Sequence, residues 1–180
     1  MEPEVRGLEF SGRSESLEET RAWGRALGRT ALAGDILLLH GALGAGKTEL
    51  VRGLAQGVGS EAGVRSPTFN LVHRYDGGRL TLHHLDLYRV EHEEELVELG
   101  LDDALGIEGL AAVEWPDRLG EFLPHEFIWL ELSLAPDGSR QARWRAQGRR
   151  PEEWLRAALD AISPSTSHGT GPETTAEKSS

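Results

Sequence analysis

The sequence predicts an α/β fold: a single domain whose largely parallel sheet has antiparallel edge strands and flanking helices. Three observations predict it. The apolar run ILLLH at 36–40 leads into the glycine-rich stretch GALGAGKTEL and then into a helical pattern. A second apolar run, LAAVE, ends on the acid Glu114. Two further stretches alternate around turn residues, as antiparallel hairpins do.

Length and composition limit the protein classes. A chain of 180 residues suits one domain with a full core, which we assign to residues 1–162, and residues 163–180 lack large apolar side chains and are expected to be a disordered tail. The net charge of −11 argues against a protein that grips nucleic acid by itself. The absence of cysteine excludes disulfides and thiolate zinc sites. With no apolar leader core and no run of about 20 apolar residues, we expect a cytoplasmic protein without membrane contact.

Caps and periodicity predict the elements of the first third of the chain. Residues 16–19 read SLEE, a capping box, and predict a helix over about 17–30. The run at 36–40 is continuous and short, as expected of a strand buried on both faces of a parallel sheet. The next helix is marked by three apolar residues spaced four apart: Leu50, Leu54 and Val58.

Beyond residue 60 the pattern predicts short strands and two more helices. Strands are expected at 69–75, 79–87, 110–115, 127–134 and 140–146. The first two form a hairpin over Gly77-Gly78, and the last two form another over Pro136-Asp137-Gly138. Helices are expected over 93–99 and from Pro151 to about 162, with proline in the tolerated first position.

The stretch at 41–48 predicts a phosphate-binding loop. Gly41, Gly46, Lys47 and Thr48 match the spacing G-x-x-x-x-G-K-[ST]. Glycines let backbone N–H groups approach phosphate oxygens, Lys47 is expected to reach the outer phosphates, and the Thr48 hydroxyl is expected to bind Mg²⁺. Lys47 is one of only two lysines beside 17 arginines, which favours a geometric requirement for lysine here. The domain is therefore predicted to be P-loop NTPase-like.

A Mg²⁺ site also requires an acid at the end of a nearby strand. Asp86 and Glu114 both follow apolar strands. Either carboxylate alone is also explained as a turn cap, but two beside a phosphate loop are harder to dismiss. The residues alone leave open which acid holds the metal and which orients the attacking water.

Three other features have functional and ordinary interpretations. Ser66-Pro67-Thr68 fits a switch loop that senses the γ-phosphate, and equally a proline turn. His73, His83, His84 and His92 are interpreted as ordinary strand and surface histidines rather than zinc ligands. The arginine-rich stretch 140–150 is best interpreted as a charged edge strand, and otherwise as a contact for nucleotide, RNA or a partner.

Two enzyme classes with this loop fit poorly. A GTPase would carry an Asn-Lys-x-Asp element that recognises guanine. The only asparagine is Asn70, which does not begin such an element, so guanine recognition of this type is absent. A small-molecule kinase would need an arginine-bearing lid, whereas the segment after Asp86 offers only Arg89 and an acidic helix. The kinase is kept as an alternative.

Five sequence blocks, in this order and spacing, resemble the bacterial TsaE family. They are GALGAGKT at 41–48, SPTF at 66–69, HLDLYR at 84–89, EEL at 94–96 followed by Leu99-Gly100, and VEWP at 113–116. The resemblance covers about residues 14–146. TsaE proteins are small ATPases that work with TsaD and TsaB proteins to make threonylcarbamoyladenosine in tRNAs reading codons that start with adenine. The resemblance implies that this chain hydrolyses ATP, that TsaD performs the threonylcarbamoyl transfer, and that this chain meets tRNA only through the complex.

The resemblance also implies roles by matching position. It implies that Thr48 and Glu114 are the Mg²⁺ ligands. It also implies that Asp86, together with Thr68, acts in hydrolysis. Trp115 is expected to pack beside the site or to signal to the partner. The residues expected to contact ATP or ADP are Gly41, Leu43, Gly44, Ala45, Gly46, Lys47, Thr48 and Glu49, together with Leu17 and Arg140.

The loop departs from the family at two positions. Ala42 stands where the family usually has aspartate, and Glu49 replaces a common second threonine. Any role of that aspartate toward water or a partner is therefore in question for this chain. Besides an ATPase and the kinase, a nucleotide-sensing docking module without essential hydrolysis is a third hypothesis.

Overall fold

The structure is a computed structural model that describes residues 7–61, 63–64, 71–98, 100–101, 105 and 108–162. Its strands are β1 (Glu9–Ser14), β2 (Ile36–His40), β3 (Val72–Tyr75), β4 (Thr81–Asp86), β5 (Gly109–Glu114), β6 (Phe127–Leu134) and β7 (Arg140–Gln147). Its helices are α1 (Leu17–Thr30), α2 (Lys47–Val58), α3 (Glu93–Glu98) and α4 (Arg149–Ile162). Two 3₁₀ turns follow β5, at Pro116–Arg118 and Gly120–Phe122.

The described strands form one seven-stranded sheet in the order β1-β7-β6-β2-β5-β4-β3. The four central strands β6, β2, β5 and β4 run parallel, while β3 on one side and β7 and β1 on the other pair antiparallel. The α/β class, the parallel centre and the antiparallel edges are thereby confirmed. Strand β2 lies at the centre, so the loop that follows it emerges from the middle of the sheet edge.

The sheet separates two apolar clusters. Leu37 and Leu39 of β2 belong to the cluster under α1, α2 and α4, whereas Ile36 and Leu38 belong to the cluster on the opposite face. Because both faces of β2 are buried, its sequence is a continuous apolar run rather than an alternating one. On the helical side, buried Trp154 of α4 donates its Nε1–H to the carbonyl oxygen of Leu27 in α1 at 3.0 Å.

Helices α1 and α2 pack with their backbones in close approach. A Cβ at Gly24 would overlap the carbonyl oxygen of Leu50, and one at Gly53 would overlap that of Arg21. Gly28 and Gly57 repeat the arrangement one turn further along each helix. Mid-helix glycine costs helix stability, but here it lets α2, which carries the phosphate loop, lie directly on α1.

Three expectations about elements need correction. The sequence analysis missed β1, because EFSGRS has no apolar alternation and the strand is held by backbone pairing to β7. The arginine-rich stretch is not an edge strand, since β7 pairs with β1 on one side and β6 on the other. Helix α4 begins at Arg149, and Pro151 is its third residue, still within the first turn where an intrahelical N–H bond is not required.

Some expectations concern residues that the structure does not describe. Thr68, the beginning of the strand expected at 69–75 and the tail expected at 163–180 lie outside the described residues. Within the described residues, no helix combines the length and apolar character needed to cross a membrane.

Candidate functional site

The loop between β2 and α2 has a backbone that only glycine adopts readily. Gly41, Gly44 and Gly46 have φ of 148°, 81° and 109°, a region that L-residues with a Cβ rarely enter. A Cβ at Gly41 would also overlap the carbonyl oxygen of Leu132 on β6. The first and last glycines of the motif are thus required by backbone geometry, and Gly46 leads directly into the N-terminus of α2.

Lys47 is buried and folds back over its own loop. Its side chain is 4% exposed, and its Nζ donates to the carbonyl oxygens of Gly41 at 2.7 Å and Ala42 at 3.0 Å. The ring of Trp115 lies 4.6 Å from Nζ. Burial lowers the pKa of Lys47, although the charges of nearby carboxylates oppose this shift. The only cation of the loop therefore lies within the predicted phosphate-binding concavity.

Thr48 lies against the acid that ends β5. Its hydroxyl donates to Glu114 Oε1 at 3.3 Å, and Lys47 Nζ is 4.0 Å from Glu114 Oε2. The same Oε1 is 3.0 Å from Nε2 of His84, a fully buried residue of β4. The sequence analysis treated His84 as an ordinary strand histidine, and only the pairing of β4 with β5 reveals this contact. A hydroxyl beside a carboxylate provides the oxygen ligands that Mg²⁺ prefers.

Asp86 is the second strand-end acid. It ends β4 and lies opposite Glu114 in the parallel register of β4 with β5. The pKa of its carboxyl is raised, chiefly because burial disfavours the charged form and further because Glu114 is close; the backbone N–H of Tyr88, a donor at 3.1 Å, acts in the opposite direction. The two acids that the sequence could not rank are therefore neighbours at one edge of the sheet.

These groups open into a cavity of about 550 Å³. Its lining residues are Leu17, Leu43, Gly44, Gly46, Lys47, Thr48, Glu49, Leu71, Asp86, Tyr88, Arg89, Glu114, Trp115 and Arg140. Most of the residues proposed from sequence are brought together here, including the distant Leu17 and Arg140. Gly41 and Ala45 are not in the lining. Tyr88 had no assigned role, although the cavity places its half-exposed ring beside the site.

Trp115 has a backbone conformation that marks the site. With φ of 59° it is the only residue other than glycine with positive φ in the described part of the chain. The turn directs its ring between Lys47 and Tyr88, whose ring centroid is 5.0 Å away. A strained conformation of this kind persists only where surrounding contacts determine it, and such residues cluster at functional sites.

Glu49 and Ala42, the two departures in the loop, have different surroundings. Glu49 accepts from Arg21 Nε at 2.6 Å and from Arg52 Nη1, so its carboxylate links α2 to α1. Ala42 is exposed and contributes its carbonyl oxygen to Lys47. The carboxylate at position 49 is thus engaged by arginine, while the side chain at position 42 makes no polar contact.

The arginines of 140–150 do not form one surface. Arg140 lies beside Gly46 in the cavity, and its buried Nε has no hydrogen-bond partner among the described residues. Arg145 lies 5.8 Å from the ring of Trp129, and Arg150 pairs with Asp35. Of these three, Arg140 alone lines the cavity, so one arginine of the stretch is available to a nucleotide.

Comparison with known proteins adds independent findings. A family model described as threonylcarbamoyl adenosine biosynthesis protein TsaE matches residues 14–142. The tRNA threonylcarbamoyladenosine biosynthesis protein TsaE of Bacillus subtilis (strain 168) is 40% identical over 140 residues, covering 78% of this chain and 87% of the relative. The protein of the same name from Treponema pallidum is 38% identical over 128 residues, covering 71% and 94%.

A solved structure has the same fold. The crystal structure of Bacillus subtilis YdiB matches with a TM-score of 0.73 and 31% sequence identity, covering 88% of this chain and 98% of that chain. The match extends beyond the loop to nearly the whole described domain.

Proposed function

The chain belongs to the TsaE family, and from this premise we propose that it binds ATP with Mg²⁺ at the 41–48 loop and hydrolyses it during threonylcarbamoyladenosine synthesis on tRNA. Its relatives are named for that biosynthesis. The proposed substrate is ATP and the products are ADP and phosphate. The modification itself is made by partner proteins of the TsaD and TsaB type.

One observation carries the proposal. Lys47, Thr48 and Glu114 converge at the floor of the cavity, with Thr48 Oγ1 3.3 Å and Lys47 Nζ 4.0 Å from the two carboxylate oxygens of Glu114. A cation, a hydroxyl and a carboxylate beside a glycine-rich loop at a helix N-terminus form an arrangement suited to a metal-bound polyphosphate.

The loop residues bind and orient the phosphates. Backbone N–H groups of residues 43–48 are proposed to donate to phosphate oxygens, which the glycine conformations permit. Lys47 leaves the carbonyl oxygens of Gly41 and Ala42 and places its charge on the outer phosphates. Arg140, whose Nε is buried without a partner among the described residues, adds a second cation near Gly46. Leu17 supplies apolar surface within the same cavity.

The strand-end acids take separate roles. Thr48 and Glu114 would hold Mg²⁺, which would neutralise charge on the phosphate oxygens. Asp86 orients the attacking water and accepts its proton. Burial raises the pKa of Asp86, so its carboxylate binds a proton more readily than an exposed aspartate does. Thr68, which lies outside the described residues, is also proposed to act in hydrolysis.

The proposed partners follow from charge and family. With a net charge of −11, this chain is not suited to hold tRNA itself, so contacts with tRNA are assigned to the TsaD and TsaB type proteins. The proposed location is the cytoplasm. ATP hydrolysis here drives or resets the complex, while threonylcarbamoyl transfer occurs on the partner.

Reconstitution of tRNA modification tests the proposal. Modification is measured with TsaD and TsaB, with and without this chain and ATP. Lys47→Ala should abolish the contribution of this chain and weaken ATP binding about 10- to 100-fold, the loss of one or more charge-assisted contacts. Lys178→Ala, which changes the only other lysine, is the matched control. Modification that proceeds equally without this chain would overturn the proposal.

A further inference from the structure

His84 is a buried histidine whose ring touches the carboxylate proposed to hold Mg²⁺. It lies in β4 with 0% exposure, and its Nε2 is 3.0 Å from Glu114 Oε1. Tyr75 of β3 covers the ring from the other side, with the centroids 6.4 Å apart and the planes at 30°. A histidine that only filled space in the sheet would not need this polar contact.

The surroundings of the ring specify which nitrogen carries the proton. Nδ1 is buried and has no hydrogen-bond partner among the described residues. A proton on Nδ1 would leave a buried donor unpaired and place a lone pair against the Glu114 carboxylate, which is unfavourable on both sides of the ring. Nε2 is therefore expected to carry a proton and to donate a hydrogen bond to Glu114.

Glu114 Oε1 then receives two donors. The Thr48 hydroxyl reaches it from α2 at 3.3 Å and His84 Nε2 reaches it from β4 at 3.0 Å. Glu114 is itself only 4% exposed, so it has little contact with water that could compete for its orientation. If Thr48 turned its oxygen toward a cation, His84 Nε2 would still be within hydrogen-bond distance of Glu114 Oε1 and would hold the carboxylate.

We infer that His84 is a positioning residue, which holds the Glu114 carboxylate in the orientation that binds the divalent cation. The inference rests on the proposed Mg²⁺-dependent ATPase. It differs from a packing role in one respect: the donor at the position of Nε2 matters, and the volume of the ring does not suffice.

Three variants separate these roles. His84→Gln extends an amide N–H to about the position of Nε2, His84→Asn carries the same amide one methylene too short, and His84→Leu has no donor. Mn²⁺ binding in the presence of ADP is measured by electron paramagnetic resonance, with circular dichroism as the check of folding. The His84→Leu and His84→Asn variants are expected to bind Mn²⁺ about 10- to 100-fold more weakly, which is the usual cost of losing a hydrogen bond to a metal ligand. Gln should remain within about threefold of the wild type.

The outcomes distinguish this inference from the proposed function. If the wild type binds no Mn²⁺ with nucleotide, the proposed function fails and this inference fails with it. If the wild type binds Mn²⁺ and the Leu or Asn variant binds equally well, only the positioning role is overturned. The same holds if a folded Gln variant loses binding as strongly as Asn. ADP binding without metal should be unchanged in every variant, because the hydrogen-bond partner of the His84 ring among the described residues is Glu114 and not a residue of the 41–48 loop.

A spectroscopic measurement tests the tautomer without any ligand. In protein labelled with ¹⁵N-histidine, two-dimensional NMR correlations of ring nitrogens with ring protons identify which nitrogen is protonated. We expect the His84 signal to show a proton on Nε2. A ring protonated on Nδ1 alone would overturn the inference even if the variants lost metal binding.

Discussion

Thr48 and Glu114 are 66 positions apart in the sequence, yet the threonine hydroxyl donates to the glutamate carboxylate at 3.3 Å. The parallel pairing of β2 with β5 explains the contact, because Leu39 of β2 lies opposite Glu114 and both strands end at the same edge of the sheet. The loop that follows β2 and the acid that ends β5 must therefore meet. The same pairing extended to β4 brings Asp86 beside them.

Replacing Glu114 should separate metal binding from nucleotide binding. Glu114→Gln keeps the size of the side chain and removes the negative charge. Losing a residue that only hydrogen-bonds to a metal ligand costs about 10- to 100-fold in metal affinity or activity. Because Glu114 is proposed as a ligand itself, we expect Mg²⁺-dependent ATP hydrolysis to fall by at least this factor. ADP binding in EDTA should persist. Glu108→Gln, at an exposed position just before β5, is the control and should behave as the wild type. Hydrolysis by Glu114→Gln at the wild-type rate would remove this residue from the metal site.

The raised pKa of Asp86 predicts that the rate of ATP hydrolysis falls on the acid side at a higher pH than an ordinary aspartate would give. The group must be ionised to accept a proton, and burial raises its pKa above the ordinary aspartate value of 3.8. The rate should therefore fall as the pH drops through that raised pKa. Asp86→Asn should lower turnover about 10²- to 10⁴-fold, the usual contribution of a general base, with little change in ATP binding. Single-turnover rates across the pH range check both statements.

The same shift predicts a stability change of definite sign. Because the folded state binds the Asp86 proton more tightly than the unfolded chain, stability falls as the pH rises from the unfolded pKa through the folded pKa. Asp86→Asn removes this penalty and should be more stable than the wild type at neutral pH by urea denaturation. Asp160→Asn, on an exposed position of α4, should show no such gain. A destabilised Asp86→Asn would mean that the carboxylate is held by favourable contacts instead.

The sequence predicted what depends on local chemistry and missed what depends on distant pairing. The loop at 41–48, the capped helix α1 and the buried strand β2 follow from residue types at fixed spacing, and the structure contains all three elements. Strand β1 was missed because its hydrogen-bond partner β7 lies some 130 positions away and its own residues are polar. His84 was passed over for a similar reason: its contact with Glu114 exists only because two strands lie side by side.

Glycine in α1 and α2 was another feature that composition alone could not explain. Gly53→Ala should gain about 1 kcal/mol of helix propensity, but the new Cβ would overlap the Arg21 carbonyl oxygen, and overpacking against rigid backbone costs about 1–3 kcal/mol. We therefore expect a net loss of stability in urea denaturation. Gly63→Ala is the control, since nothing lies within 4 Å of its Cβ position. Equal stability of the two variants would show that the helices separate easily.

Arg149 and Arg150 are adjacent in sequence and should differ sharply in their effect on stability. Arg150 donates from Nε and Nη2 to the two carboxylate oxygens of Asp35 at 3.0 and 2.6 Å, and the Asp35 side chain is 3% exposed. Arg150→Ala leaves that carboxylate buried, with the Leu32 N–H as its one remaining donor among the described residues. We expect a loss of about 2–4 kcal/mol, somewhat below the range for a fully buried pair because Arg150 is partly exposed.

The neighbouring variant supplies the comparison within the same helix turn. Arg149 is 91% exposed and pairs with Glu153 on the surface of α4, so Arg149→Ala should change stability by no more than about 0.5 kcal/mol. Urea denaturation of both variants measures the difference directly. Arg150→Lys sharpens the test, because lysine keeps the charge but cannot form two parallel hydrogen bonds. If the Arg150→Lys variant were as stable as the wild type, the charge alone would account for the pairing. If Arg150→Ala lost no more stability than Arg149→Ala, Asp35 would be stabilised by its backbone contact without the arginine.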